Sequence, residues 1–198
     1  MRKPEIGVLG LTLSLYKKNL PELIPCLESF SGEVNTALSK VSGTVHYPVA
    51  WNRKTVSEGF SLFEKEKVDG IIIVFLSYSQ SLEILPAVRK TGIPLLIWNT
   101  QKLAEIDGTF GPQEMFENHG MHGVQDLASV LSREGIDFSV ITGHYKDKKT
   151  LSAVSDWCEA AYAVSRISEA RIGRIGGVFT HMGDFATVSY THLTLPTN

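Results

Sequence analysis

Apolar and polar positions fall into two kinds of block along this chain. One kind is a short, mainly apolar run, at residues 5–13, 45–51, 68–76, 94–98 and 138–142. Continuous runs of this length suit strands that are covered on both faces. The run at 68–76, VDGIIIVFL, is the strongest of them. The other kind repeats with the helical period. Leu23, Leu27, Phe30, Val34 and Leu38 predict a helix over 20–40, where Pro21 fits a first turn and Pro25 strains it. Val56, Phe60 and Phe63 predict a second helix over 52–67, and residues 82–91 a short third one. Val124, Leu127, Ala128 and Leu131 recur at i, i+3, i+4 and i+7, one buried face of a helix over 117–131. A long helix is expected over 150–170 and a further strand over 171–179. Residues 102–116 read as a loop, and loops that long are usually functional or mobile.

Strand and helix alternate five times. This predicts an α/β fold: a doubly wound parallel sheet of about five strands in a flavodoxin- or Rossmann-like three-layer sandwich. Ligands in such sheets sit outside the carboxyl ends of the strands. Here those ends carry residues 12–16, 77–79, 99–101 and 142–145, rich in hydroxyls, amides and imidazoles. A rim of that kind without a charged cluster suits a neutral polar ligand such as a sugar, although every sheet rim is polar to some degree. The helix with the Val124 face opens on the same rim. Asn118 is expected to cap it. His119 and His122 would then lie in its first turn, where free N–H groups and the helix dipole favour a neutral imidazole. Such a ring can exchange hydrogen bonds with a polyhydroxy ligand or simply close a loop.

Composition narrows the classes. The 198 residues suit one domain, or one domain plus a piece of another, and 43% hydrophobic content is enough for a core. A formal net charge of -2 gives no reason to expect nucleic acid or an acidic membrane surface as partner. Cys26 and Cys158 fit no metal spacing, so a reduced, cytoplasmic setting is expected. The start of the chain lacks the long apolar stretch of a signal peptide, and no uncharged run reaches the 18 or so residues of a membrane span.

Common chemical motifs are missing. Gly7-Val8-Leu9-Gly10 is not a dinucleotide fingerprint, there is no phosphate-loop lysine motif and no nucleophile elbow. Gly173-Arg174-Ile175-Gly176-Gly177 is explained by a bulge or tight turn. His119, His122 and Asp126 could line one helical face as metal ligands, yet no second cluster completes a shell, and no metal site is assigned. Glu28, Glu64, Glu66, Glu83 and Glu105 read as solvated faces.

Four segments in order resemble the N-terminal part of the L-arabinose and L-fucose isomerase superfamily. They are residues 8–16 (VLGLTLSLY), 94–101 (PLLIWNTQ), 118–123 (NHGMHG) and 141–147 (ITGHYKD). His122 falls on that family's Ala-His-Gly histidine, and the last segment is similar to Val-Thr-Gly-His-Trp-x-Asp. The likeness covers about residues 6–184. It implies an aldose–ketose isomerase that moves hydrogen between C1 and C2 of a sugar, with a homo-oligomeric, cytoplasmic parent. It implies manganese held by glutamates and histidines of a C-terminal part. It also implies a sugar pocket to which Tyr16, Gln101 and His122, with Asn118 and His119 beside them, would contribute. Two departures stand out: His119 occupies the position of an arabinose isomerase glutamine, and residues 10–16 lack that enzyme's Ser-Gln-His. They point to a divergent branch, with the fucose isomerase side as an equal candidate.

The ending VSYTHLTLPT, residues 188–197, resembles a translated sequencing adaptor. The expected organisation is therefore an N-terminal α/β domain over 1–170, the first strand of a truncated second domain over 171–187, and a non-native tail over 188–198. The fragment is expected to be inactive because the metal ligands lie elsewhere. Two other readings stay open, a non-catalytic sugar-binding module and a flavodoxin-like redox or regulatory domain.

Overall fold

A computed structural model describes residues 2–171. The chain divides into two compact units, residues 1–168 and 169–198, and the first is the one described below. The strand expected over 171–179, the partial domain over 171–187 and the tail over 188–198 lie outside the described residues, apart from Arg171 at their edge.

Five strands form one sheet: β1 (Glu5–Leu11), β2 (Gly43–Ala50), β3 (Gly70–Phe75), β4 (Leu95–Asn99) and β5 (Ser139–Thr142). Their order is β2-β1-β3-β4-β5 and every pairing is parallel. The chain direction across the sheet reverses between β1 and β3, with Leu11 opposite Phe75 at the carboxyl end. A crevice for ligands is expected outside that reversal.

Alternation along the strands sorts the core into two layers. Leu9, Leu11, Ile71, Ile73, Phe75 and Ile97 face one side, under α3 (Arg53–Glu66), α4 (Ser81–Val88) and α6 (Gly120–Glu134). Ile6, Val8, Ile72, Val74, Leu96 and Trp98 face the other, under α1 (Ser14–Asn19), α2 (Leu23–Leu38) and α7 (Lys148–Ser168). β3 is buried at all six positions because helices cover both its faces. The Asn52 side chain accepts from the Thr55 amide and starts α3, and Lys67 ends it in a left-handed conformation. No helix among the described residues is long and apolar enough to cross a membrane.

The three-layer α/β expectation holds, with local corrections. The helix expected over 20–40 is α2, Leu23–Leu38, and an additional short helix, α1, precedes it at Ser14–Asn19. The stretch expected to be loop over 102–116 contains α5 (Pro112–Glu117), which Pro112 begins and which Glu114 caps by accepting from the Gly111 amide at 2.9 Å. Asn118 does not cap the following helix. It ends α5, and α6 begins at Gly120 after His119, whose side chain makes no capping bond.

Candidate functional site

The amino end of α6 is pressed against the carboxyl end of β3. A side chain at Gly120 would sit 2.3 Å from the Phe75 carbonyl oxygen, and one at Gly123 would sit 2.3 Å from the Phe75 ring. Only glycine fits either place. These two glycines bring His119 and His122 to the rim above the β1–β3 reversal. The polar Ser77-to-Gln80 stretch leaves β3 at the same point, and Tyr78 stacks on His119 with ring centres 5.8 Å apart. His119 in turn meets His122 edge-on at 4.7 Å. The three rings form a row, from half-buried Tyr78 to exposed His122.

His119 Nδ1 is buried and has no hydrogen-bond partner. Burial lowers the His119 pKa from its ordinary value, and the neighbouring His122 adds to the fall. The ring is therefore held neutral near pH 7 and must present one N–H and one lone pair. The cause is burial rather than the helix terminus the sequence suggested. A buried polar atom left unpaired beside the rim costs stability, which a ligand group able to reach it would recover.

The other sequence-derived residues are spread along the rim. Tyr16 is 8% exposed on α1 and packs edge-to-face on Phe116 at 5.5 Å. Burial raises its hydroxyl above the ordinary range, against a smaller opposing pull from the Ser77 side chain. Ser77 also donates to the Phe116 carbonyl, tying α5 to the end of β3. A small apolar cleft of about 220 Å³ lies beside this contact, lined by Leu20, Leu23, Pro112 and Phe116 among others. Gln101 donates to Asn99, which donates to Thr142 on β5. Asn118 spends both ends of its amide on the backbone, accepting from Leu103 at 2.8 Å and donating to Glu114 at 2.7 Å. So the structure brings His119 and His122 together and places Tyr16 across the Ser77–Tyr78 segment from them. No hydrogen bond or ring contact among the described residues joins Gln101 or Asn118 to either histidine. Asn118 is a brace of the 102–118 segment, and its side chain has little left to offer a ligand.

That brace has a partner the sequence reading missed. Glu117, 5% exposed, pairs with Lys102 and accepts from Gln113 at 3.0 Å. Burial pushes the Glu117 pKa up, but the bonds from Lys102 and Gln113 outweigh it and hold the carboxyl below its ordinary value. A buried acid next to a rim could have been taken for a general base. The ion pair shows it is a fastener.

The segment 141–147 is also structural. Gly143 has φ of +155°, and a Cβ there would lie 2.1 Å from Thr150 Oγ1. The Trp98 indole donates to the Gly143 carbonyl, and Lys146 N donates to His144 Nδ1. The Asp147 carboxylate accepts from both Thr150 N and Thr150 Oγ1, at 2.8 and 2.7 Å, and so caps the start of α7.

Among the described residues no metal centre assembles. Asp126 accepts from the Ser81 amide at 2.9 Å and caps α4, so it is not the third ligand of the His119–His122 face. No group of three or more His, Cys, Asp or Glu side chains able to hold a metal occurs among the described residues. They offer no site for the manganese, whose ligands the resemblance places in a C-terminal part.

Known proteins match this chain along most of its length. The family of the L-arabinose isomerase N-terminal domain matches residues 29–169. The chain belongs to that family. The L-arabinose isomerase of Bacillus subtilis is 25% identical over 173 residues, covering 85% of this chain and 34% of the relative. That of Nocardioides is 34% identical over 97 residues, covering 46% of this chain and 18% of the relative. The chain thus spans about a third, or less, of the length of these relatives. Among solved structures, the type B ribose 5-phosphate isomerase of Leishmania infantum covers 83% of this chain and is itself covered to 99%, at 12% identity and a TM-score of 0.30, too loose a likeness to bear on fold or function. The match to the arabinose isomerase N-terminal domain contains the whole of α6, the 141–147 segment and the Gly120/Gly123 contact.

Proposed function

We propose that this chain is the sugar-gripping N-terminal domain of an aldose–ketose isomerase of the L-arabinose type. His122 is the residue that meets the sugar. The observation that carries this is the ring row Tyr78–His119–His122 at the mouth of the parallel-sheet crevice, with one imidazole nitrogen unpaired. A neutral His119 fixes the edge of the His122 ring, and His122 donates to or accepts from an open-chain sugar hydroxyl. Tyr16 closes the near side of the pocket and Gln101 marks its β4 end. The family match supports arabinose-type sugars over the fucose type.

Moving hydrogen between C1 and C2 needs a base and an electrophile close to those carbons. The described residues supply no metal cluster, and their one well-buried rim carboxylate, Glu117, is committed to Lys102. Manganese and the proton-transferring group would therefore come from protein outside the described residues, in a parent that assembles as a homo-oligomer. This chain on its own binds sugar and does not isomerise it.

The experiment is a titration of the 198-residue chain with L-arabinose and with its non-isomerisable alcohol, L-arabinitol, following the His ring resonances by NMR. Saturable shifts at His119 and His122 that vanish in His122→Ala are expected. Shifts that persist in that variant, or manganese-dependent turnover by this chain alone, would contradict the reading.

A further inference from the structure

Away from the histidine rim, a cavity of about 520 Å³ opens between α2 and the start of α7. Its floor comes from one stripe of α2, from Ser29 to Ala37, with Lys40 just beyond the helix end, and its wall from Tyr145, Lys146 and Leu151. It is a groove open to solvent, with a volume in the range of small-molecule sites.

Its polar groups are arranged in an unusual way. Tyr145 is 2% exposed as a residue, yet its hydroxyl reaches the cavity and donates to Glu33 Oε2 at 2.6 Å. Lys146 Nζ pairs with the same oxygen at 3.2 Å and lies 5.0 Å over the Tyr145 ring. Both bonds therefore fall on one carboxylate oxygen, and Oε1 is left as an open acceptor. The bond from Tyr145 holds the Glu33 carboxyl below its ordinary range, so the acceptor stays charged at neutral pH. On the other side stands Lys40, which makes no ion pair or hydrogen bond among the described residues. Ser29 adds a hydroxyl. The Tyr145 phenol is what brings a hydroxyl to Glu33.

Gly32 points the same way independently. It lies in the interior of α2, where glycine costs about 0.5–1 kcal/mol relative to alanine. Nothing lies within 4 Å of where its Cβ would be. Packing within the chain does not require glycine there, in contrast to Gly120 and Gly123. What glycine does at position 32 is keep the cavity open.

We propose that this cavity is a second binding site, for a small phosphorylated sugar, separate from the histidine rim. The phosphate pairs with Lys40 and the free N–H groups of Lys146, and a sugar hydroxyl donates to Glu33 Oε1. The cavity has two ammonium groups, point charges of the kind that bind phosphate. The site does not depend on the isomerase reading, and the two fail separately.

The test titrates the 198-residue chain with arabinose 5-phosphate, arabinose and inorganic phosphate. Calorimetry gives the affinity, and backbone amide NMR gives the location. Arabinose 5-phosphate is expected to saturate with shifts at Gly32, Thr36 and Lys146, while arabinose shifts only the His119–His122 region. Lys40→Ala and Lys146→Ala are each expected to weaken the sugar phosphate about tenfold. Gly32→Met fills the space and abolishes binding, while Gly32→Ala raises the melting temperature and shows that the helix tolerates a side chain there. The site is overturned if arabinose 5-phosphate gives no saturable shift at these amides, or if the lysine and Gly32→Met variants bind it unchanged. Equal affinity for inorganic phosphate would overturn the assignment to a sugar phosphate.

Discussion

Two stretches of the carboxyl rim carry family motifs, and they are built in opposite ways. Around Gly143 to Thr150, tryptophan, histidine, aspartate and threonine side chains are paired with backbone or with one another. Around His119 to His122, the rings touch but one buried nitrogen has no partner, and the helix begins without a side-chain cap. Motif likeness gives both stretches the same standing. Hydrogen-bond accounting separates them: a fully satisfied motif holds the fold, and an unsatisfied one on the rim is left to take a ligand.

This contrast is sharpest where stability and binding part company. The largest loss is expected from Gly123→Val, which drives a branched side chain into the Phe75 ring and should cost at least about 3 kcal/mol; chemical denaturation measures it. Gly143→Ala meets both a positive φ and the Thr150 hydroxyl and should cost about 2 kcal/mol. Removing the α7 cap with Asp147→Ala should cost about 1 kcal/mol in the same assay. Against these, His122→Ala at an exposed position should change stability by no more than about 0.5 kcal/mol while removing sugar binding. A large stability loss in His122→Ala would place it with the structural motif instead.

The smallest effect is in the pH dependence. The folded pKa of His119 lies below its ordinary value, so its neutral form is favoured by folding. Its contribution to stability is complete above about pH 6.5, the unfolded value, and is lost as pH falls through the lower folded value. Urea midpoints measured from pH 8 to pH 5 should fall less steeply in His119→Gln than in the native chain. His46, lowered by burial and bonded to Ser31, keeps part of the slope in both. An identical slope in the variant would show that His119 is not held neutral by the fold.

Much of this architecture was legible in the chain. Apolar runs locate all five strands: β1, β3 and β4 are buried on both faces, and the edge strands β2 and β5, only partly buried, keep enough apolar residues to be seen. Long helices show themselves by period. What periodicity misses is short: α1 and α5 have six residues each, too few for a repeating face. The Asn118 assignment failed for the same reason, since an asparagine ahead of an apolar face looks like a cap until the preceding helix is known. The roles of Asp126 and Glu117 depend on partners 45 and 15 residues away, and no local pattern carries that. Gly120 and Gly123 were the overlooked signal. Two glycines three apart on a helix with an apolar face announce close approach to another backbone, and here they set the position of both histidines.

The direct test of the account is the tautomer and titration of the His119 ring, read by nitrogen-15 NMR with and without L-arabinitol. A ring that is neutral at pH 7, loses its unpaired state when the polyol binds, and reverts in His122→Ala is what the geometry predicts. A His119 that is charged at pH 7, or whose nitrogen signals ignore the polyol, would contradict it.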